Sequence, residues 1–338
     1  YFASKDGGKG ATYALEGWDG KPFEFENDYL TDIKGRAACE FIRKGDAAKP
    51  WFLYVAFNAP HGPLQASEKY LSRFAGIADE KRRTYAAMVS ALDDAVGAIL
   101  GELKAQGALD NTLIFFLSDN GGTTEENTSC NDPLRGRKGQ MWEGGLRVPL
   151  LMAGPRIKAG QFSHVRTSTV DVLPTIMELA GVAANTLPKD LDGVSLASVL
   201  KTDPNIPPKR VHEELVVHFP HYDKDEIGPA SAIIYQNWKM IRVFETEKRL
   251  LFDLSKDIGE QNDLAQSMPN IVLALDNRMM NYLRSVNAGM PKPNPEYVEG
   301  GEKSGDRKGG KGGKQKPMRK AAMSTRPAML PVKSRKAV

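Results

Sequence analysis

The sequence predicts an α/β fold, a mostly parallel sheet flanked by helices, followed by a small antiparallel sheet backed by one helix. Three observations predict it. Apolar runs at 51–57, 113–117 and 148–153 read as strands buried on both faces. A long stretch at helical spacing separates the first two, which makes a βαβ unit with parallel strands. After about Pro207 the runs become short and closely connected, as in an antiparallel sheet.

Residues 1–50 are turn-rich until a helix predicted over 32–43. The run "WFLYVAF" ends in Asn58-Ala59-Pro60-His61-Gly62-Pro63, where two prolines stop the strand. Tyr85, Met88, Val89, Leu92, Val96, Ile99, Leu100 and Leu103 then recur on one helical face and lead into "LIFFL". Asp171 is expected to cap a helix through Ala180, with Pro174 in its first turn and Gly181 just past its end. "SAIIYQ", "WKMIRVF" and "RLLFDL" supply the short strands, and a helix over 269–286 is expected to pack on them. The division is therefore 1–206 for the larger α/β domain, 207–298 for a C-terminal α+β subdomain, and 299–338 for a tail.

The chain has 338 residues, 41% of them hydrophobic, enough for one large core or a domain with a smaller companion. No run approaches the roughly 20 apolar residues of a membrane-spanning helix. Cys39 and Cys130 do not make a disulfide framework, although one bridge stays open. The net charge of +4 divides unevenly. Residues 301–338 hold 12 Lys and Arg against 2 Asp and Glu, leaving 34 against 40 elsewhere. That Gly/Lys/Pro-rich tail is expected to be disordered, touching polyanions weakly and binding no nucleic acid specifically.

In open parallel sheets, ligands gather outside the carboxyl ends of the strands. His61 follows one such end; Asp119 and Asn120 follow another, in "LIFFLSDNGG". A carboxylate and an amide carbonyl are hard oxygen donors suited to Ca²⁺, and Asn-Gly is equally a routine turn. His61, between Pro60 and Gly62-Pro63, is either a structural loop residue or a proton donor. Lys138 lies in "PLRGRKGQMWEGGLRVP", where a loop folding over the site would aim it at an anion. Arg135, Arg137 and Arg147 in that loop read as structural pairing residues, and Asp93 and Asp94 as solvent-facing or locally bonded. His218 and His221 in "HFPHY" are candidate sugar contacts or packing residues, with no third metal ligand evident.

"APHGP", "LIFFLSDNGG", "PLRGRKGQMWEGGLRVP" and "TSTVDVLPTIMELAGV", in this order, resemble the type I sulfatase family of the alkaline-phosphatase-like superfamily. The resemblance runs from about Tyr1 to Ala288. It implies that Asp119 and Asn120 are calcium ligands, calcium in preference to magnesium. It also implies that His61 protonates the leaving oxygen of a sulfate ester and Lys138 binds the sulfate, on a sulfated small molecule or glycan. The family's nucleophile is a formylglycine made from Cys or Ser in a C/S-x-P-x-R motif, and no such motif occurs here. Cys39-Glu40-Phe41-Ile42-Arg43 lacks the proline, and Cys130-Asn131-Asp132-Pro133-Leu134-Arg135 has one residue too many.

The chain also begins Tyr1-Phe2-Ala3, without initiator Met or leader pattern. The expectation is an N-terminally truncated sulfatase, inactive alone and poor at binding calcium, from a periplasmic or secreted enzyme. Two rival readings are a phosphodiester or phosphonate hydrolase of the same superfamily and a non-catalytic polyanion-binding protein.

Overall fold

A computed structural model describes residues 29–297, apart from 156, 202–203, 223–226 and 296. Most of the turn-rich stretch expected before the first helix lies outside the described residues, as does the tail expected from 299.

Small side chains set the first helical contact. Helix α1 (Leu30–Lys44) packs on α3 (Glu80–Ala105), with the short α2 (Glu68–Leu71) between them in the chain. A Cβ on Gly35 would lie 3.0 Å from that of Ala95, so this approach depends on both residues staying small. The buried face of α3 comprises Ala87, Met88, Ala91, Ala95 and Leu103, following the periodicity in the sequence. Asp79 starts the helix, its carboxylate accepting from the Arg82 backbone N–H at 2.6 Å. At the other end Arg43 pairs with Glu102 at 2.6 Å. Tyr29, Tyr70 and Ala59 complete this core, which draws in the loop carrying His61.

The two central strands depart from the expected arrangement. Strand β1 (Ile114–Leu117) pairs antiparallel with β2 (Leu150–Ala153), Ile114 opposite Ala153 and Leu117 opposite Leu150. Only the four-residue helix α4 (Glu143–Leu146) lies between them, so no helical crossover turns the chain for a parallel return. The segment 51–57 is in no ladder among the described residues, and Phe52 and Tyr54 are exposed. Phe116 of β1 and Leu151 of β2 are exposed too. An apolar run marks a strand suited to burial, but burial needs neighbours on both sides. The described residues supply no strand partner for 51–57, which instead contacts α1 through Phe41 and Lys34.

Helix α5 (Val172–Leu179) has Asp171 at its N-cap position, as expected, and is entered through a 3₁₀ turn, so the Asp171 side chain makes no capping bond to α5 itself. Ser168 is the cap residue of that turn, and Asp171 sits three positions on, accepting from the Ser168 N–H at 2.8 Å. Pro174 and Gly181 fall where expected. The short α6 (Ala197–Lys201) follows, and Arg210 pairs with the fully buried Asp171 at 2.6 Å.

The C-terminal helix and three of the four C-terminal strands match the reading, and an additional strand, Leu215–Phe219, runs into "HFPHY". Strands β3 (Leu215–Phe219), β4 (Ala230–Tyr235), β5 (Trp238–Val243) and β6 (Arg249–Asp253) form an antiparallel sheet in chain order. Its two faces carry different cores. Ile233, Met240 and Leu251 face Leu275, Met279 and Leu283 of α7 (Pro269–Ser285). Ala230, Ala232, Ile241, Leu250 and Phe252 instead meet Met141 and Trp142, from the loop just before α4. Both cysteines are free thiols. No helix among the described residues is long and apolar enough to cross a membrane.

Met279 is fully buried, whereas Leu273 of the same helix is 61% exposed. Met279→Ala should lower unfolding stability by about 2–5 kcal/mol in a denaturant titration, and Leu273→Ala by under ~0.5 kcal/mol.

Candidate functional site

Two loops from distant parts of the chain meet here. The first carries His61. Its entry is fixed by Lys34 of α1, whose ammonium donates to the Ala56 carbonyl and the Asn58 side-chain oxygen, both at 2.5 Å. Burial holds that ammonium below its ordinary pKa. The His61 backbone N–H donates to the Asn58 carbonyl at 2.9 Å. Its ring Nδ1 is 2.6 Å from the Gly62 carbonyl. A carbonyl only accepts, so Nδ1 carries the proton and Nε2 has its lone pair available.

The second loop carries Lys138. Its Nζ lies 3.1 Å from His61 Nε2 and donates to it. Glycines with left-handed backbone, Gly136 (φ 82°) and Gly139 (φ 83°), flank Arg137-Lys138 and let this short excursion turn at both ends. Asn131 braces the loop by donating to both the Gly122 and Gly136 carbonyls at 3.0 Å.

The same loop is stitched to the turn after β1. Lys138 N–H donates to the Gly122 carbonyl at 3.2 Å, and Gly121 N–H to the Gly145 carbonyl at 3.1 Å. The two glycines of "DNGG" serve close approach: a Cβ on Gly121 would fall 1.7 Å from the Gly144 carbonyl oxygen. His61, Lys138 and the Asp119–Asn120 turn thus converge. Asp119 is exposed and Asn120 half-buried. Their donors have the chemistry of a calcium shell, but Ca²⁺ takes 6–8 oxygens. No group of three or more His, Cys, Asp or Glu able to hold a metal is assembled among the described residues. These two residues supply only part of such a shell.

The remaining candidates stand apart. His218 lies in β3, with Nδ1 2.5 Å from Ser231 Oγ and Nε2 2.9 Å from the Gly289 carbonyl. Both ring nitrogens are engaged inside the subdomain. His221 is exposed, its ring edge-on to Phe219 at 5.5 Å. Arg135 stacks on Trp142 at 3.7 Å, Arg137 lies 3.5 Å from Glu125, and Arg147 3.8 Å from Glu143. Asp94 pairs with Arg73 at 2.7 Å.

One group was not singled out from the sequence. Lys239 of β5, with a fully buried side chain, lies 3.0 Å from Glu143 Oε1 and 2.8 Å from Glu260 Oε1. The Glu143 N–H donates to Glu260 Oε2 at 2.6 Å. Alternation along "WKMIRV" puts Lys239 on the face of the buried Ile241, a signal available from the strand itself. Burial, with the Glu143 charge beside it, pushes the Glu260 carboxyl above its ordinary value against the pull of Lys239.

Comparison with known proteins identifies the family. The sequence matches the family profile described as "Sulfatase" over residues 8–182. It matches "N-sulphoglucosamine sulphohydrolase, C-terminal" over 137–285. The chain belongs to the sulfatase family. It is 33% identical over 287 residues to a sulfatase of Formosa agariphila, covering 77% of this chain and 51% of that protein. It is 36% identical over 177 residues to human N-acetylgalactosamine-6-sulfatase, covering 51% of this chain and 32% of that one. The crystal structure of Ps i-CgsB in complex with k-i-k-neocarrahexaose superposes with TM-score 0.69 at 32% identity, over 83% of this chain and 60% of that one. The structure of BT4656, in complex with D-glucosamine-2-N,6-O-disulfate, shares the fold with TM-score 0.68 at 21% identity, over 81% and 73%. The chain thus spans about half the length of the first of these relatives.

Two outcomes follow. Gly121→Ala should cost at least about 2 kcal/mol in urea unfolding, because the obstructing atom is backbone. Glu260 should also tilt the pH dependence of stability. A carboxyl raised on folding holds a proton that the unfolded chain releases near 4.5, so its contribution is full below that pH. It is lost as pH rises from 4.5 through the folded value. Glu260→Gln should flatten that decline in denaturation midpoints measured between pH 4 and 8.

Proposed function

We propose that this chain is the part of a sulfatase that holds the sulfate anion and serves the leaving group, acting on sulfate esters of a carbohydrate. The observation that carries the reading is the 3.1 Å contact between Lys138 and His61, residues 77 apart in the chain, beside the Asp119–Asn120 turn. A carbohydrate substrate is supported by Ps i-CgsB, whose structure holds a neocarrahexaose, and by the relative named N-acetylgalactosamine-6-sulfatase.

Lys138, a flexible point charge, would move its N–H donors from His61 Nε2 to a sulfate oxygen. His61 Nε2, relieved of that donor, could then take a proton from solvent and pass it to the departing alcohol oxygen. The Nδ1–Gly62 hydrogen bond would keep the ring aimed during the exchange. Exposed His221 would contact the substrate, while His218 braces β3 through Ser231 and Gly289.

Calcium and a formylglycine, when bound, would neutralise the sulfate and supply the nucleophile. Asp119 and Asn120 would be two of the calcium ligands. Residues 1–338 contain no C/S-x-P-x-R motif, so this chain alone is proposed to be inactive. The reading includes three further points. Segment 51–57 joins a parallel sheet in the complete enzyme, residues 1–206 and 207–298 are separate domains, and the enzyme works in the periplasm or outside the cell.

The purified chain should turn over no aryl sulfate, and calorimetry should show calcium binding weaker than about 10 μM, since two ligands leave most of the shell to water. Measurable turnover or tight calcium binding would contradict this. In an enzyme that includes the nucleophile motif, His61→Ala should lower kcat by about 10²–10⁴-fold on an ester with a poor leaving group. A wild-type kcat there would remove His61 from the acid role.

A further inference from the structure

The loop that delivers Lys138 is bracketed by a single distant residue. At its start, Arg135 Nη1 donates to the Glu260 carbonyl at 2.9 Å. At its end, the Glu143 N–H donates to the Glu260 carboxylate at 2.6 Å. Lys138 lies between these two ties. Glu260 has a left-handed backbone (φ 52°), a conformation that costs a non-glycine residue and persists where its surroundings hold it. Lys239 provides that hold from β5, its ammonium in contact with both Glu260 and Glu143.

The charges around the trio are uneven. Two carboxylates share one buried ammonium, with Arg147 3.8 Å from Glu143 and the half-buried Arg166 also feeling the Glu143 charge. Ion clusters of this kind are weak sources of stability, since apolar side chains of similar volume often do as well. They do fix one geometry, because each polar group has few satisfying positions. Here every tie ends on the Lys138 loop or on the residue that brackets it.

We propose that Lys239, acting through Glu143 and Glu260, is a positioning residue for the site: it clamps the loop bearing Lys138 to the C-terminal sheet and so sets the approach of Lys138 to His61. The catalytic meaning of this clamp rests on reading Lys138 as the anion-holding residue. The clamp itself does not.

The test uses the full chain and amide hydrogen exchange. In Glu260→Gln, exchange at Lys138, Gly121 and Gly144 should quicken about tenfold or more, while the β4–β5 ladder keeps its protection. Those amides report the bonds Lys138 N–Gly122 O, Gly121 N–Gly145 O and Gly144 N–Arg135 O. Unchanged exchange in the loop, or equal acceleration in loop and sheet, would overturn the proposal. If Glu260→Gln does not fold, Arg135→Leu decides. It cuts one tie without stranding a buried charge, and should quicken exchange at Lys138 and Gly144 alone.

A titration with inorganic sulfate separates the two layers. Wild-type binding weakened several-fold by Glu260→Gln, with no further loss in a Lys138→Met background, shows that the clamp acts through Lys138. Equal losses in both backgrounds would overturn that link. If wild type binds no sulfate, the anion-holding reading of Lys138 falls, and the exchange result still decides the clamp.

Discussion

One buried ammonium organises the meeting of the two halves of this chain. Lys239 has no exposed side-chain surface, and its charge is met by carboxylates from residues 96 positions earlier and from the segment after β6. Withdrawing an ammonium from water carries a penalty of several kcal/mol, so it stays buried only while those partners stay in place. That demand reaches Glu143, and through Glu143 and Trp142 it reaches the loop that holds Lys138. The apolar contacts of Trp142 with Phe252 and of Arg135 over the Trp142 ring run along the same seam. Hydrophobic burial brings the loop to the sheet, and the ion trio fixes where on the sheet it lands.

Close backbone approach does the next part of the assembly. Gly121 and Gly144 lie where any side chain would strike a carbonyl, so the turn after β1 and the Lys138 loop can hydrogen-bond directly. The side chains that matter chemically are then presented from rigid backbone on three sides. Lys34 fixes the His61 loop from α1, Asn131 fixes the Lys138 loop, and β1 fixes Asp119 and Asn120. This division of labour would suit the proposed anion site, because charges placed in advance need not reorganise when a ligand arrives.

Much of this was legible in the sequence, for identifiable reasons. The long helix and the C-terminal sheet carry strong periodicity and tight turns, and both formed where the pattern put them. The convergence of His61 and Lys138 was legible from the motifs that resemble the sulfatase family, not from spacing alone. The parallel pairing of 51–57 with β1 was read from apolar runs, which report suitability for burial and not the presence of neighbours. The trio was missed because it is wholly non-local. "WKMIRV" shows a lysine on a core-facing position, but nothing near it in the chain names Glu143 or Glu260 as partners. Asp171 stands at the N-cap position the sequence indicated, but its carboxylate is turned back to the Ser168 N–H by the preceding 3₁₀ turn, which local spacing does not announce.

The most direct measurement is a double-mutant cycle on the unfolding free energy of the full chain, using Lys239→Met and Glu260→Gln singly and together. If the buried contact is the constraint described, the double variant will be more stable than the sum of the single losses predicts, by on the order of 2 kcal/mol. Additive losses, with a coupling below about 0.5 kcal/mol, would mean that Lys239 and Glu260 do not depend on one another and that the loop is held by packing alone.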